Sequence, residues 1–435
     1  GVTFGTIQQG NISSVTVVAS TAGLLQGWID FNDDGDWADS GEQIFLDQPV
    51  VAGSNILSFT VGSGAVATTQ TFARFRLSSQ AGLSVTGQAP DGEIEDYEVA
   101  IIAASPTFVV STTTPTSTGF ILDFNRALDP TPLNLYDASG TLGAADVVLT
   151  GATGGTVRGS VALDPNLRRL TFVATSGRLA ADTYTISLRS AADGFRDTTA
   201  ALLDGDANGT AGGNFATNFT ISAPPANAVT ISVPNLARGP GQAINVPADV
   251  TTGLPISFSD GGGITAATFE VRYNPELLTI SGATVAPGLP PTAAVTLNTS
   301  TPGLAIVQFT SSTPLVNGTT RFVDLQASVP SSATYLAKEI LDLGNIVVNG
   351  GSVAGLDDDA GHVAAYFGDV TGNGTYSGTD ASLLARNAVG LDSGFAIFKL
   401  LDPTIIGDIT GNGSFSAQDT SKSLQLAVGI AVPEA

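Results

Sequence analysis

The sequence has no cysteine and a single histidine. Without cysteine the chain can form no disulfide, thiolate metal site or thiol nucleophile. The same counts exclude zinc sites built on cysteine or histidine. A Ser–His–Asp triad would need His362, which lies in the approach to an acidic loop near the end of the chain. No phosphate-binding glycine loop opens a helix. The sequence therefore predicts a protein that is not an enzyme.

Positive charge and long apolar runs are also scarce. The chain has 16 Lys and Arg against 39 Asp and Glu, for a net charge of −23, and its first lysine is Lys338. Nucleic-acid binding through a basic patch is excluded, and no apolar run is long enough to predict a membrane span. Because bound cations would offset the self-repulsion of such a surface, we expect a secreted protein in a calcium-containing medium. The sequence begins with Gly1, so we expect a mature or excised chain.

One short motif occurs twice near the end of the chain. Residues 368–390 and 407–429 are identical at twelve of twenty-three positions. Both copies open with Gly-Asp-(Val/Ile)-Thr-Gly-Asn-Gly and close with Ala-Val-Gly. The pattern predicts a loop followed by a helix, with Gly390 and Gly429 ending the two helices.

The spacing of oxygen-bearing residues in each copy is typical of a calcium loop, with Gly374 and Gly413 at the sharp turn. Only two carboxylates occur per loop, and the last is Asp rather than the Glu of an EF-hand, so we expect weak affinity. A plain Asx turn would explain one loop, but two copies on one spacing favour calcium. The expected calcium ligands are Asp369, Thr371, Asn373, Thr375, Ser377 and Asp380, then Asp408, Thr410, Asn412, Ser414, Ser416 and Asp419.

Two loop–helix units without entering helices resemble a type I dockerin, over roughly residues 365–431. Dockerins bind cohesin domains, so the resemblance implies a partner-binding face. The residues at this face differ from the Ser/Thr and Lys/Arg pairs of many dockerins, so the specificity for a partner stays open. By this resemblance, the residues of the partner-binding face are Gly378, Thr379, Arg386, Ala417, Gln418 and Gln425.

Residues 1–102 alternate apolar and polar side chains in short runs, which predicts a β-sandwich. Trp-Ile-Asp-Phe-Asn-x-Asp-Gly-Asp-Trp followed by Gly-Glu-Ile-Glu-Asp-Tyr resembles the GEVED domain. The acidic loop predicts a calcium site, and a solvated turn is the alternative. We expect the acids of residues 91–97 to join this loop, and Arg74 and Arg76 to pair with those acids. The expected ligands are Asp30, Asn32, Asp34, Asp36 and Glu42.

Residues 103–225 again consist of short strands, and the run at 118–130 resembles bacterial Ig-like domains. The turn of Asp204, Asp206 and Asn208 fits either calcium or a plain turn. Residues 226–355 carry Pro-Gly-Gln-x-Ile-x-Val-Pro and then Phe-Glu-Val-Arg-Tyr-Asn-Pro-Glu-Leu-Leu, which resembles a cohesin jelly roll. Another spacer sandwich is the alternative. Residues 356–435 complete the chain as the dockerin-like module.

We therefore predict a mainly β chain of three tandem sandwiches followed by a small α-helical calcium module. Calcium would let the helix pair bury Leu383, Leu384, Leu424 and Val428. A cohesin-like and a dockerin-like surface on one chain predict head-to-tail self-assembly into a filament, sheath or surface layer outside the cell. The alternatives are a scaffold or adhesin bound to a different cohesin-bearing protein, and a tail that docks on its own chain. Glycoside hydrolysis is a weaker interpretation, since nearly all acidic clusters lie in calcium-type loops.

Overall fold

The computed structural model describes residues 1–62, 64–103, 107–138, 140–208, 210–245 and 253–432. In these residues three β-sandwiches are followed by a small helical tail, which confirms the predicted fold class. No helix among them is long and apolar enough to cross a membrane.

The first sandwich packs a three-stranded sheet (order β1-β2-β5) on a four-stranded sheet (β4-β3-β6-β7). Because side chains alternate across a strand, Val15 and Val17 of the second strand face the core with Phe59 and Phe75. Its strands are β1 Val2–Phe4, β2 Ile12–Ala19, β3 Gly23–Ile29, β4 Gln43–Val50, β5 Gly53–Thr60, β6 Thr68–Ser78 and β7 Glu93–Ile101.

The second sandwich packs two four-stranded sheets, β11-β10-β14-β15 and β12-β13-β9-β8. Phenylalanines fill its core, with Phe120 stacked on Phe172 at a ring separation of 5.1 Å. Its strands are β8 Val110–Pro115, β9 Gly119–Phe124, β10 Val147–Gly151, β11 Gly155–Val157, β12 Gly159–Leu163, β13 Arg169–Ala174, β14 Asp182–Leu188 and β15 Phe215–Ile221.

The third sandwich packs a five-stranded sheet (β20-β23-β18-β16-β25) on a six-stranded sheet (β17-β26-β24-β19-β22-β21). Its core contains Phe258 and Phe322, stacked at 3.8 Å. Its strands are β16 Val229–Ser232, β17 Leu236–Ala237, β18 Leu254–Phe258, β19 Ala266–Arg272, β20 Thr279–Val285, β21 Ala294–Asn298, β22 Leu304–Thr310, β23 Thr320–Ser328, β24 Lys338–Val348, β25 Gly355–Asp358 and β26 Ala360–Val363, with a 3-10 turn at Asn349–Gly351.

The third sandwich extends beyond the expected boundary at residue 355. Strand β25 pairs in parallel with β16, and β26 pairs with β24 and β17, so residues 355–363 complete both sheets. His362 therefore lies in a strand and not in a linker. It is fully buried, and its Nδ1 is 2.7 Å from an oxygen of Glu339.

The tail contains helices α1 Gly378–Ala388, α2 Thr404–Gly407 and α3 Ala417–Ala427. Each long helix begins with a capping box, in which a serine accepts from the main chain and an aspartate of the first turn accepts from that serine's own N–H. Gly390 and Gly429 lie just beyond the helices at φ 73° and 78°, as predicted for residues that end a helix.

The tail buries different side chains from those expected. Leu384 is fully buried and Leu383 is partly buried, but Leu424 is 48% exposed and Val428 is 73% exposed. The two long helices contact each other, but much of the tail core comes from the segment between the loops, residues 391–406. That segment covers Leu384 and leaves the end of α3 open.

The same inter-loop segment anchors the tail to both neighbouring sandwiches. Leu400 enters the core of the second sandwich, where its carbonyl accepts from the N–H of Val161 at 2.8 Å. Phe398 and Ile405 instead pack in one cluster with Val363 of the third sandwich. The second sandwich, the third sandwich and the tail are therefore in mutual contact.

A buried carboxylate holds this anchor in place. Asp402, 1% exposed, forms a two-pronged ion pair with Arg158 at 3.0 and 3.1 Å. Tyr136 and Thr175 of the second sandwich also donate to it, at 3.2 and 2.9 Å. Burial alone would raise the pKa of Asp402, but the hydrogen bonds and charge of Arg158 leave it below its ordinary value.

We predict that Arg158→Met weakens the docking of the tail. The substitution removes the one charged partner that Asp402 has among the described residues but keeps its neutral donors, so we expect a loss of about 1–3 kcal/mol in unfolding free energy. Amide exchange over residues 395–407 should accelerate.

The matched control for this substitution is Arg74→Met in the first sandwich. Arg74 makes a similar two-pronged pair with Asp96, whose side chain is 46% exposed, so its loss should cost under about 1 kcal/mol. Equal exchange in the tail of both variants would contradict the anchoring role of Arg158.

Acidic residues line the contact between the second and third sandwiches. Thr118 donates to Asp359 at 2.9 Å, and Ser117 donates to Asp357. Burial, together with the charges of neighbouring aspartates, raises the pKa of Asp358 to about 6 and that of Asp359 to about 7. The folded chain therefore holds protons at these carboxyl groups that the unfolded chain would release.

This shift predicts that folding stability falls as pH rises from 4 towards 7, then levels off. The sign follows because between the unfolded and folded pKa values the folded state binds more protons. Calorimetry of the wild type and Asp359→Asn at fixed calcium concentration tests it, and the variant should lose part of the slope. A variant whose pH profile is parallel to that of the wild type would disprove the assignment.

Candidate functional site

The first tail loop turns its side-chain oxygens towards its own centre. Asp369 accepts from the N–H groups of Gly372 and Gly374 at 2.9 and 2.6 Å. Asp380 reaches back across the loop to accept from the N–H of Thr371 at 2.9 Å. The side-chain oxygen of Asn373 accepts from the next turn of the loop at 2.8 Å. The loop therefore brings the three acidic and amide side chains of the predicted set to one place.

The second tail loop repeats this geometry almost bond for bond. Asp408 accepts from the N–H groups of Asn412 and Gly413, and Asp419 accepts from the N–H of Thr410 at 2.8 Å. The hydroxyls of the two loops take fixed positions: Thr371, Thr375, Thr410 and Ser414 donate to loop Asp or Asn oxygens, and Ser377 and Ser416 cap the helices.

The chemistry of these loops fits a hard cation. Asp369, Asp380 and Asp419 are fully buried and Asp408 is 6% exposed, yet none of the four forms an ion pair within the described ranges. Carboxylate, amide and hydroxyl oxygens are the donors that Ca²⁺ prefers. Buried carboxylates without a cationic partner are costly, so the donor set matches the predicted metal.

The two loops differ in one contact. Tyr335, from the loop before β24, donates its hydroxyl to Asp369, whereas no tyrosine of the described residues donates to Asp408. Burial and this hydrogen bond raise the pKa of Tyr335. The first loop is therefore tied directly to the third sandwich.

Two buried carboxylates also hold the acidic loop of the first sandwich together. Asp30, 1% exposed, accepts from the N–H of Gly35 at 3.0 Å, and Glu42, 2% exposed, accepts from the N–H of Phe31 at 3.0 Å. Burial, with the charge of Asp30, raises the pKa of Glu42, while main-chain donors oppose this shift. Asn32 donates to Asp34 and links it to the rest of the loop at 3.0 Å.

The structure adds Asp39 to this loop, which the sequence reading missed. The carboxylate oxygens of Asp34, Asp36 and Asp39 lie within 4.8 Å of one another. Asp39 falls outside the odd-numbered loop spacing, but it lies three residues before Glu42, and its N–H donates to that glutamate at 3.2 Å. The signal in the sequence that could have identified Asp39 is its position three residues before Glu42, the residue predicted to close the loop.

The late acidic cluster of the first sandwich does not join the loop. Asp91 accepts instead from Ser78 and Ser79. Arg74 pairs with Asp96, as predicted, and stacks over Trp37 at 4.5 Å. The predicted acid pairing of Arg76 is wrong: this side chain is 1% exposed and donates to main-chain carbonyls of the loop at residues 84–87.

The acidic turn of the second sandwich contains the remaining predicted set of oxygen-bearing side chains. Asp204 is buried and accepts from Thr107 at 2.7 Å, whereas Asp206 and Asn208 are exposed. Asp197, near in sequence, is used by Thr199 and Arg126. Within the turn, Asn208 donates its N–H to Asp204 at 3.0 Å, as Asn373 and Asn412 do to Asp369 and Asp408 in the tail loops, and its side-chain amide donates to Asp206 at 2.9 Å. These contacts fit either a calcium loop or a plain turn.

The predicted partner-binding positions lie on the two long helices of the tail. Gly378 and Thr379 on α1 are exposed, and so are Ala417, Gln418 and Gln425 on α3. Arg386 is half-buried because its guanidinium pairs with Asp392 at 2.7 and 2.8 Å. Exposed apolar side chains at the ends of the same helices are Val389, Leu391, Leu424, Val428 and Ile430.

Comparison with known proteins defines two modules of the chain as binding or structural domains. Residues 24–100 match the family model described as the GEVED domain, and residues 229–383 match the model described as the cohesin domain. The predicted GEVED and cohesin resemblances are thereby confirmed. The Ig-like and dockerin-like resemblances stay predictions. A search of curated proteins found no match.

Several solved structures of cohesins are similar to this chain. CaCohA2 from Clostridium acetobutylicum has 16% identity, covering 32% of this chain and 90% of its own, with a TM-score of 0.27. A non-cellulosomal cohesin from Archaeoglobus fulgidus has 14% identity, covering 31% and 90%, with a TM-score of 0.26. The third cohesin ScaC of Acetivibrio cellulolyticus, in complex with the ScaB dockerin, has 13% identity, covering 31% and 97%, with a TM-score of 0.26.

Proposed function

We propose that this protein is a non-catalytic, calcium-binding structural protein outside the cell, which assembles head to tail with copies of itself. The observation that supports this most is the way the tail is held. Its inter-loop segment is fixed to the second and third sandwiches, while five of the six positions predicted to bind a partner are exposed. The same chain carries a cohesin domain. A surface and its receptor on one subunit propagate into a ring or a filament.

The exposed helix surface has the character of a contact site. Leu424 and Val428 are four positions apart and therefore lie on one side of α3, close to Gln425. Clustered exposed apolar side chains on an otherwise polar surface are typical of a protein–protein interface. The cohesin of Acetivibrio cellulolyticus is in complex with a dockerin, and a dockerin-like tail would present this surface to a cohesin domain.

Docking of the tail on its own chain does not compete with this proposal. The internal contact uses residues 391–406 and leaves five of the six predicted partner positions exposed. The tail would therefore cap its own chain on one side and offer the other side to a neighbour.

A scaffold function is the second candidate, favoured by the cohesin domain itself. In that case the third sandwich would receive a dockerin of a different protein, and the tail would attach this chain to another cohesin-bearing surface protein. Both functions place the chain outside the cell and need no catalytic residue.

We predict that the purified chain forms long polymers in calcium and that Leu424→Glu combined with Val428→Glu abolishes them. Both side chains are exposed, so charges there should oppose contact without disturbing the core. Light scattering and electron microscopy, in calcium and then in chelator, measure the size. Val316→Glu is the control, since Val316 is 77% exposed on the third sandwich, away from the tail helices.

Polymers of the control variant and the wild type that dissociate on chelation would support calcium-dependent self-assembly. A wild type that stays monomeric in calcium and in chelator would reject it. Mixing that monomer with foreign dockerin-bearing and cohesin-bearing proteins would then test the scaffold function.

We also predict that the tail binds two calcium ions, one in each loop. Asp369→Asn and Asp408→Asn should each remove one site, because each takes away one of only two carboxylates in its loop. Titration calorimetry counts the sites, and amide exchange over α1 and α3 assigns the lost protection to one loop. The control is Asp91→Asn, because the Asp91 carboxylate accepts from two serines and lies outside the predicted calcium loops. This variant should bind calcium as the wild type does.

Unchanged amide protection of both helices in calcium and in chelator would contradict calcium binding by the tail. Loss of both sites on either single substitution would instead mean that the two loops fold as one unit.

A further inference from the structure

The two tail loops make unequal contacts with the rest of the chain, although they repeat each other in sequence. Gly372 and Gly411 occupy the same position in the two loops, at φ 67° and 69°. A Cβ atom added at Gly372 would lie 3.0 Å from side-chain carbons of both Leu336 and Ile397, whereas one added at Gly411 would have no atom of the described residues within 4 Å. The first loop is therefore packed between the third sandwich and the inter-loop segment, and the second loop is open at this position.

The segment that contacts the first loop is anchored in the third sandwich on both sides of the contact. It runs between β23 and β24, and Ala333 and Ala337 of this segment pack against the core of the sandwich. Tyr335 and Leu336, which lie between them, pack instead against the apolar cluster of the tail. The N–H of Leu336 donates to the carbonyl of Ala364, just after β26, at 2.9 Å. The third sandwich thus holds this segment in place against the tail.

Tyr335 extends this contact to a predicted calcium ligand. Its hydroxyl accepts from the N–H of Tyr366 at 3.1 Å and donates to Asp369. The other donors to the Asp369 carboxylate are groups of residues 371–374, in the loop itself. The Asp408 carboxylate has donors of the same kind in its own loop. Among the described residues, Tyr335 is therefore the donor that distinguishes the first loop from the second.

We propose that Tyr335 is a positioning residue for the first calcium site, so that calcium in this loop and docking of the tail on the third sandwich strengthen each other. The inference rests on the calcium binding proposed above. A carboxylate that binds a metal is oriented by hydrogen bonds from residues that do not touch the metal, and loss of such a donor typically lowers metal affinity about 10–100-fold. Because binding equilibria are reciprocal, calcium would favour docking by the same factor by which docking favours calcium. The calcium affinity of the second loop should not depend on Tyr335.

The experiment uses Tyr335→Phe, which removes the hydroxyl and keeps the ring. Amide exchange of the full chain over a range of free calcium concentrations gives one midpoint for α1, after the first loop, and another for α3, after the second. We expect Tyr335→Phe to raise the α1 midpoint about tenfold and to leave the α3 midpoint unchanged. The matched control is Tyr184→Phe, which removes a hydroxyl that donates to the carbonyl of Ala180 at 3.0 Å in the second sandwich. This control should keep both midpoints at their wild-type values.

A reciprocal measurement needs no change at Tyr335. Calcium should increase the amide protection of residues 333–337 in the wild type and in the control Asp91→Asn, but not in Asp369→Asn. Because these residues belong to the third sandwich, their protection reports docking rather than the order of the tail itself.

An α1 midpoint that is equal in Tyr335→Phe and the wild type, or one that shifts together with the α3 midpoint, would overturn the inference although the loops bind calcium. Protection of residues 333–337 that does not respond to calcium would overturn it as well. Failure of the proposed calcium binding gives a different result, in which neither α1 nor α3 of the wild type gains protection at any calcium concentration.

Discussion

The position of the tail depends on one buried carboxylate. Asp402 is 1% exposed, so it must take its compensation from the second sandwich, where Arg158, Tyr136 and Thr175 all converge on it. A buried carboxylate that lost this set would be left without counter-charge, which is far more costly than a broken surface pair. The residue before it, Leu401, and the residue two before it, Leu400, enter different cores. The ion pair and hydrogen bonds of Asp402, together with the adjacent apolar contacts, therefore fix the position and the orientation of the inter-loop segment.

Asp402 lies in the sequence between the two tail loops, so its contacts orient both loops. The first loop is tied to the third sandwich through Tyr335, and the second begins only six residues after Asp402, beyond the single turn of α2. The helices that follow the loops keep several apolar side chains exposed at their ends. These side chains stay exposed because the inter-loop segment already supplies the core that the helix pair would otherwise have to make from Leu424 and Val428.

The sequence predicted what local patterns encode and missed what distant contacts decide. Strand alternation and a duplicated loop are readable within a few residues, so the sandwiches and the geometry around Asp369 and Asp408 were foreseen. Residues 356–363 were assigned to the tail module, whereas they pair with β16 and β24 of the third sandwich, which are distant in the sequence. Arg76 was predicted to pair with acids on its own face of the sheet. It instead donates to main-chain carbonyls of a loop about ten residues away in the sequence. Neither outcome has a signature in neighbouring residues.

The net negative charge of the chain connects its folding with the proposed assembly. With a net charge of −23, the chain concentrates buried acids in the tail loops and at the contact between the second and third sandwiches, and those acids repel one another unless protonated or bound to cations. Asp402 at the anchor is a further buried acid, and Arg158 neutralises it. The tail loops contain no arginine or lysine, so on the proposed function a calcium ion would supply the positive charge there. On the proposed function, calcium binding would then stabilise the docked tail as a whole, because α2 connects the second loop directly to the ion pair of Asp402.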